Sequence, residues 1–179
     1  MQNRGTLVAN DAVVGRVRAL RANLERFGAL NVSATVYDGS NYPGAAGRFD
    51  RVLVDAPCSG LGTIRRNPDL KWRQTPEEIK KLGQTQLAIL ESAGRLVKPG
   101  GRLVYATCSL LDQENQGLVE LFLEKHPEFE VLPAAEALGQ HFLHDGIPLG
   151  SSNTKPWWQV WPHIHGTDGF FGAVLRRKP

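Results

Sequence analysis

Short apolar runs alternate with stretches of helical periodicity, and each run stops on a carboxylate or a cysteine turn. Thr6–Ala9 stops at Asn10-Asp11, Val32–Tyr37 at Asp38, Phe49–Val54 at Asp55 and Arg102–Ala106 at Thr107-Cys108. After the first run, apolar residues recur at 13, 14, 17, 20, 24 and 27, one face of a helix, with Gly28 where a C-cap is expected. Thr75-Pro76-Glu77-Glu78 has the form of a capping box with proline in the first turn. Apolar positions 79, 82, 87, 90 and 93 carry that helix to about Leu96. Lys98-Pro99-Gly100-Gly101 predicts a turn, Gln113–Lys125 a further helix, and Phe129–Leu132 and Gly169–Arg176 further strands. Strands apolar throughout, alternating with helices, predict an α/β fold with a parallel sheet buried under helices on both faces. Ligands of such sheets gather at the carboxyl ends of the strands. Asp11, Asp38, Asp55 and Cys108 are therefore expected along one edge.

The chain has two cysteines, Cys58 in Asp55-Ala56-Pro57-Cys58-Ser59-Gly60 and Cys108 in Thr107-Cys108-Ser109. Two cysteines form no disulfide framework, and no Cys-x-x-Cys pair suggests zinc or a dithiol redox site. The bland reading makes both small buried hydrophobes in a reducing compartment. The reactive reading rests on their delivery to two strand ends, one beside a carboxylate. The histidine pairs His141/His144 and His163/His165 lack further soft ligands nearby, so no metal is expected. No run approaches the length of a membrane span, and no signal-peptide pattern opens the chain, so a cytoplasmic protein without membrane contact is expected.

With 179 residues the chain suits one domain, and its net charge of +3 permits a polyanionic partner. Arg65, Arg66, Lys71 and Arg73 cluster after the first cysteine turn, opposed in sequence only by Asp69, and could touch phosphate. Arg176, Arg177 and Lys178 read as a solvated tail. Residues 134–168, with Trp157, Trp158 and Trp161, read as an ordered loop. Phe170 and Phe171 serve equally as core or as a support for a flipped base.

A carboxylate at the end of the second strand of a nucleotide-binding unit holds ribose hydroxyls, which suits Asp11, and Asp38 is placed for an adenine amino group. Aspartates also start turns and cap helices, so each acid has a local explanation. The carboxylates favour a nucleoside cofactor without separating NAD from S-adenosylmethionine. No glycine-rich phosphate loop precedes the strand ending at Asp11.

Together, DAPCSG at 55–60, TCS at 107–109, Glu114-Asn115, VAND at 8–11 with Arg16, YDG at 37–39, RRNPDLKW at 65–72 and DGFFGAVLRR at 168–177 resemble a known family. It is the Sun/Fmu and nucleolar-protein family of RNA cytosine-5 methyltransferases, and the bacterial ribosomal-RNA branch is the most similar. The resemblance covers essentially the whole chain. It implies a class I methyltransferase sheet, S-adenosylmethionine as cofactor and RNA, ribosomal by branch, as partner. Carried over by motif, Cys108 is the nucleophile and Cys58 the cysteine that assists product release. Asp55 then contacts base and cofactor, and Asp11 and Asp38 hold ribose and adenine.

The chain departs from that family at its amino end. The first cofactor motif and the upstream RNA-binding segment are missing, so residues 1–179 are expected to be the carboxyl-terminal part of a single catalytic domain, lacking the first central strand. A monomer with weak cofactor affinity is expected of these residues alone. The competing expectation is a non-catalytic RNA- or protein-binding remnant. A DNA cytosine-5 methyltransferase would instead make Cys58 the nucleophile, and an NAD-linked thiol enzyme has only the carboxylates in its favour.

Overall fold

The computed structural model describes residues 2–138 and 156–179. The chain divides into two compact units, Met1–Pro43 and Gly44–Pro179, each with its own sheet.

In the first unit, β1 (Leu7–Asn10) runs parallel to β2 (Val32–Thr35), with Leu7 opposite Val32 and Asn10 opposite Thr35. The crossover helix α1 (Val14–Arg26) buries Val17, and Gly28 follows its end at φ +65°, a left-handed conformation that glycine adopts without a Cβ penalty. Asn10 ties the two strand ends together. Its Oδ1 accepts from Thr35 Oγ1 and from the Tyr37 amide, both at 3.0 Å, and its Nδ2 donates to the Tyr37 carbonyl at 2.9 Å.

Among the described residues the second unit holds five strands: β3 (Phe49–Asp55), β4 (Val97–Thr107), β5 (Phe129–Leu132), β6 (Trp158–Val160) and β7 (Phe170–Arg177). Their order is β3-β4-β7-β5, with β6 also on β7. Only β3 and β4 are parallel; β7 runs antiparallel to β4, β5 and β6. The sheet is therefore mixed rather than wholly parallel. An apolar run gives no strand direction, and the return of the chain through β6 and β7 supplies the antiparallel part. The four acidic and thiol strand ends accordingly lie on two sheets, Asp11 and Asp38 on one and Asp55 and Cys108 on the other.

After the short helix α2 (Leu70–Arg73), helix α3 (Pro76–Leu96) begins as its sequence predicts. Thr75 Oγ1 accepts from the Glu78 amide at 3.2 Å, and Glu78 Oε2 accepts from the Thr75 amide at 3.0 Å. Its Leu90 and Ala93 pack with Leu118, Val119 and Phe122 of α4 (Gln116–Lys125) onto Leu103, Tyr105, Phe171, Ala173 and Leu175 of the sheet. The expected turn after α3 lies inside β4: Val97 pairs with Phe49, and the ladder resumes at Arg51 and Arg102 across a bulge. Leu53 of β3 is 68% exposed, so this run is not the fully buried strand its composition suggests. Among the described residues, no strand pairs with the other edge of β3.

The expected basic tail belongs to the sheet. Arg176 pairs with Glu130 at 2.6 Å, Arg177 Nη1 donates to the Val97 carbonyl and Lys178 Nζ to the Pro127 carbonyl. Phe171 is core, fully buried beside Tyr105, whereas Phe170 lies half-buried against Trp158. The stretch read as a loop contains β6 and helical turns at Ala134–Leu138 and Pro162–His165.

Candidate active site

Both cysteine turns leave the carboxyl ends of neighbouring parallel strands. Asp55 of β3 is opposite Ala106 of β4, and the Ala56 amide donates to the Ala106 carbonyl at 3.0 Å, extending the pairing into the turns. The Cys58 and Cys108 sulfurs end 3.4 Å apart, half-buried and unbridged. At Gly62 the turns come close enough that only glycine fits. Its amide donates to the Cys108 carbonyl and its carbonyl accepts from the Gly169 amide, both at 2.8 Å, and a Cβ would overlap the Cys108 and Gly169 carbonyls. Gly60 stands at φ +72°, turning the chain back after Ser59.

Beneath the sulfurs lies a buried polar layer. Glu114, with no exposed surface, accepts from the Ser59 amide at 2.8 Å, from Ser59 Oγ at 2.5 Å, from Gln86 Nε2 at 3.0 Å and from Ser109 Oγ. Gln86 also donates to the Pro57 carbonyl at 2.8 Å, so both acceptors demand its NH2 and fix the amide orientation. Thr107 Oγ1 donates to Asn115 Oδ1 at 2.5 Å, and Asn115 Nδ2 donates to the Ser109 carbonyl at 3.0 Å. Tyr105 donates to the Glu114 carbonyl at 2.7 Å, and burial pushes its phenol well above the ordinary range.

The thiols differ in acidity. The hydrogen bond from Cys58 brings Cys108 down to about 7, against opposing effects of burial and the charges of Asp55 and Glu114. The same bond, with burial, pushes Cys58 up. Cys108 is thus the sulfur that carries thiolate near neutrality, and the thiolate is the nucleophilic form. Asp55 is exposed at the end of β3, its carboxylate accepting no hydrogen bond among the described residues.

In the first unit the acids are engaged by their own turns. Asp11 accepts from the Val13 amide at 2.7 Å and pairs with Arg16 at 3.3 Å. Asp38 Oδ1 accepts from the Ser40 amide at 2.9 Å and from Ser40 Oγ at 2.7 Å, which holds its carboxyl below the ordinary value. Asp38 Oδ2 has no partner among the described residues, leaving one acceptor free.

The basic cluster is partly neutralised from a distance in sequence. Arg66 pairs with Asp168, Arg65 lies 3.9 Å from the same carboxylate and donates to the Gly166 carbonyl, and Arg73 pairs with Asp69 at 2.8 Å. Lys71 sits over the ring of Trp72, which is 80% exposed. His165 binds the Trp161 backbone; His141 and His144 lie outside the described residues. Among the described residues, no cluster of His, Cys, Asp and Glu is arranged to hold a metal, and no helix is long and apolar enough to cross a membrane.

Sequence reasoning missed Gln86, and its signal was present. It lies four residues after Leu82 and four before Leu90, a polar residue on the buried stripe of α3.

The chain is similar to ribosomal RNA small subunit methyltransferase F of Vibrio cholerae, 38% identical over 178 residues that make up 99% of this chain and 36% of that protein. It is 36% identical over 186 residues to the probable ribosomal RNA small subunit methyltransferase B of Bacillus subtilis, covering 99% of this chain and 39% of that protein. It thus spans little more than a third of the length of these relatives. The crystal structure of NSun6 from Pyrococcus horikoshii with SFG, an S-adenosylmethionine analogue, matches at 30% identity and a TM-score of 0.82, over 99% of this chain and 43% of that one. The fold is therefore the α/β class I methyltransferase architecture expected from the motifs. Residues 1–176 match the model of the 16S rRNA methyltransferase RsmB/F group, and the chain belongs to that family.

Proposed function

We propose that this chain provides the thiol centre of an S-adenosylmethionine-dependent methyltransferase acting on carbon five of a cytosine in small-subunit ribosomal RNA. The observation that carries the reading is the pair of sulfurs 3.4 Å apart on adjacent strand ends, with Cys108 ionising near neutrality. The RNA class comes from the names of the relatives, and the chemistry from the thiols.

Carbon five of cytosine is a weak nucleophile until a thiolate adds to carbon six. Cys108 supplies that thiolate: its sulfur bonds to carbon six, and the displaced electron pair makes carbon five an enamine carbon. The cofactor, when bound, supplies an electrophilic methyl group. Asp55, exposed at the end of β3 and close enough for its charge to act on Cys108, is the proposed partner of the ring nitrogen, sharing a proton with it as charge develops there. A base removes the proton from carbon five, the carbon–sulfur bond breaks and Cys108 leaves as thiolate. Cys58, which keeps its proton, is the donor beside that leaving sulfur and favours its departure. Asp11 and Asp38 are the proposed holders of ribose and adenine; the free Oδ2 of Asp38 has the acceptor chemistry an amino group requires.

The product of the genomic locus, including any in-frame sequence upstream of Met1, is assayed with labelled S-adenosylmethionine and small-subunit ribosomal RNA. Cys108→Ala is expected to lower methyl transfer by at least about 10³-fold, as loss of a nucleophile does. Cys58→Ala is expected to accumulate a protein–RNA adduct that survives denaturing electrophoresis. Full methyl transfer by Cys108→Ala, or an adduct that requires Cys58, would reverse the assignment of the two sulfurs.

A further inference from the structure

We propose that Glu114 is the positioning residue for the thiol pair, one buried carboxylate that binds the residue after each cysteine and so sets the distance between the two sulfurs. The inference rests on Cys58 and Cys108 being the reactive pair.

Ser59 follows Cys58 and Ser109 follows Cys108. Both hydroxyls donate to Oε2 of Glu114, while the Ser59 amide and Gln86 Nε2 donate to Oε1. The two hydroxyls also lie 3.2 Å from each other. Only a carboxylate offers acceptor sites for this many donors on a side chain of such size. Burying one is costly, and an apolar residue of similar volume would fill the same space without that desolvation. What an apolar residue cannot do is hold two turns and α3 at one point. Glu114 is itself held to β4 and to the turn that follows it. It closes the helical turn Asp112–Glu114, its carbonyl accepts from Tyr105, and Asn115 after it binds Thr107 and Ser109. The carboxylate is therefore fixed to β4, and the Cys58 turn is drawn to it.

The Cys58 thiol chiefly, and a backbone hydrogen bond at Cys108, favour the Cys108 thiolate, whereas burial and the charges of Asp55 and Glu114 oppose it. Positioning and plain electrostatics thus predict opposite results on removing the Glu114 charge. If Glu114 only contributes charge, Glu114→Gln makes Cys108 more acidic. If it holds the sulfurs together, the same change loosens the turns, weakens the hydrogen bond from Cys58 and makes Cys108 less acidic.

The test is the pH profile of iodoacetamide alkylation at Cys108, followed by mass spectrometry so that Cys58 is counted separately. It is run on Glu114→Gln and on Ser109→Ala, which keeps the carboxylate and removes one anchor. The expected result is an alkylation rate at pH 7 lowered at least threefold in both variants, with the midpoint moved upward and cooperative melting retained. An unchanged or faster rate in either variant overturns the proposal, and Ser109→Ala alone decides if Glu114→Gln does not fold. The readout is independent of methyl transfer. Full activity of Cys108→Ala would remove the nucleophile assignment while leaving the alkylation result to judge Glu114.

Discussion

The Asp38 carboxylate takes both of its hydrogen bonds from Ser40, two residues on, whereas Ser59 beside Cys58 is bound by Glu114, 55 residues on. The same contrast runs through the rest of each region. Asp11 is bound by Val13 and Arg16 of its own turn, while Pro57 is bound by Gln86 and the Cys108 carbonyl by Gly62. The aspartate carboxylates of the first unit are held by neighbours in sequence, although Asn10 and the Asp11 amide also reach Thr35 and Tyr37. The cysteine turns of the second are set by the packed fold. A local turn keeps its shape when distant residues change; a turn assembled from several elements does not.

Replacing glycine by alanine in each region gives the largest break in that comparison. At Gly62 a Cβ would overlap two carbonyl groups, so the turns must separate, and a loss of about 3 kcal/mol is expected, the upper end of ordinary overpacking. At Gly15 in α1 nothing lies within 4 Å of the added atom. Alanine also favours helix, so Gly15→Ala is expected to stabilise by up to about 1 kcal/mol. Urea unfolding of the two variants checks both signs. Equal destabilisation at the two sites would mean that the cysteine turns are no more dependent on the fold than the helix is.

That difference also decides what could be read from the chain. The capping box at Thr75 and Glu78, the glycine after α1 and the strand ending at Asp55 follow from residues within four positions of one another, and the structure has them where they are expected. Strand direction is not local, and the antiparallel β7 was illegible in Gly169–Arg176 for that reason. Asp168, about a hundred residues after Arg65 and Arg66, pairs with both, so the basic cluster carries less free charge than its sequence suggests. The thiols were legible as a motif, but their separation of 3.4 Å and the carboxylate beneath them were not. A glutamate quoted only as part of a pattern gives no sign of being buried.

A smaller effect follows from Cys58→Ala. In the folded protein Cys108 ionises at about 7 instead of its ordinary 9.0, chiefly through Cys58. Between those values the unfolded chain binds more protons at Cys108 than the folded one, so this group adds stability as pH rises through the window and loses it as pH falls through 7. Cys58, raised in the folded state, works the other way above 9.0. Without Cys58 the Cys108 midpoint is expected to move back up to its ordinary 9.0 or beyond, because burial and the charges of Asp55 and Glu114 remain, lowering alkylation at pH 7 by roughly fifty-fold and flattening the rise in stability from pH 7 to 9. A midpoint still near 7 would assign the acidity of Cys108 to its own turn, making it as local as that of Asp38.

The smallest expected effect is at Asp38, and it separates capping from ligand binding. In Asp38→Asn the amide oxygen still accepts from the Ser40 amide and hydroxyl, so the turn persists and neutral-pH melting is expected to be unchanged. In the native chain these bonds lower the Asp38 carboxyl, so its contribution is present above the ordinary 3.8 and lost as pH falls below it through the lowered folded-state value. The variant has no such loss, and its acid limb is expected to be slightly flatter. The other atom changes character altogether. Oδ2, a free acceptor, becomes an NH2 group that can only donate. An adenine amino group, itself a donor, then meets a donor. Weaker S-adenosylmethionine binding with an unchanged melt, measured by calorimetry on the product of the genomic locus, would give this acid a ligand as well as a turn. Equal binding by both forms would leave Asp38 a cap alone, fully accounted for by the residue two places on.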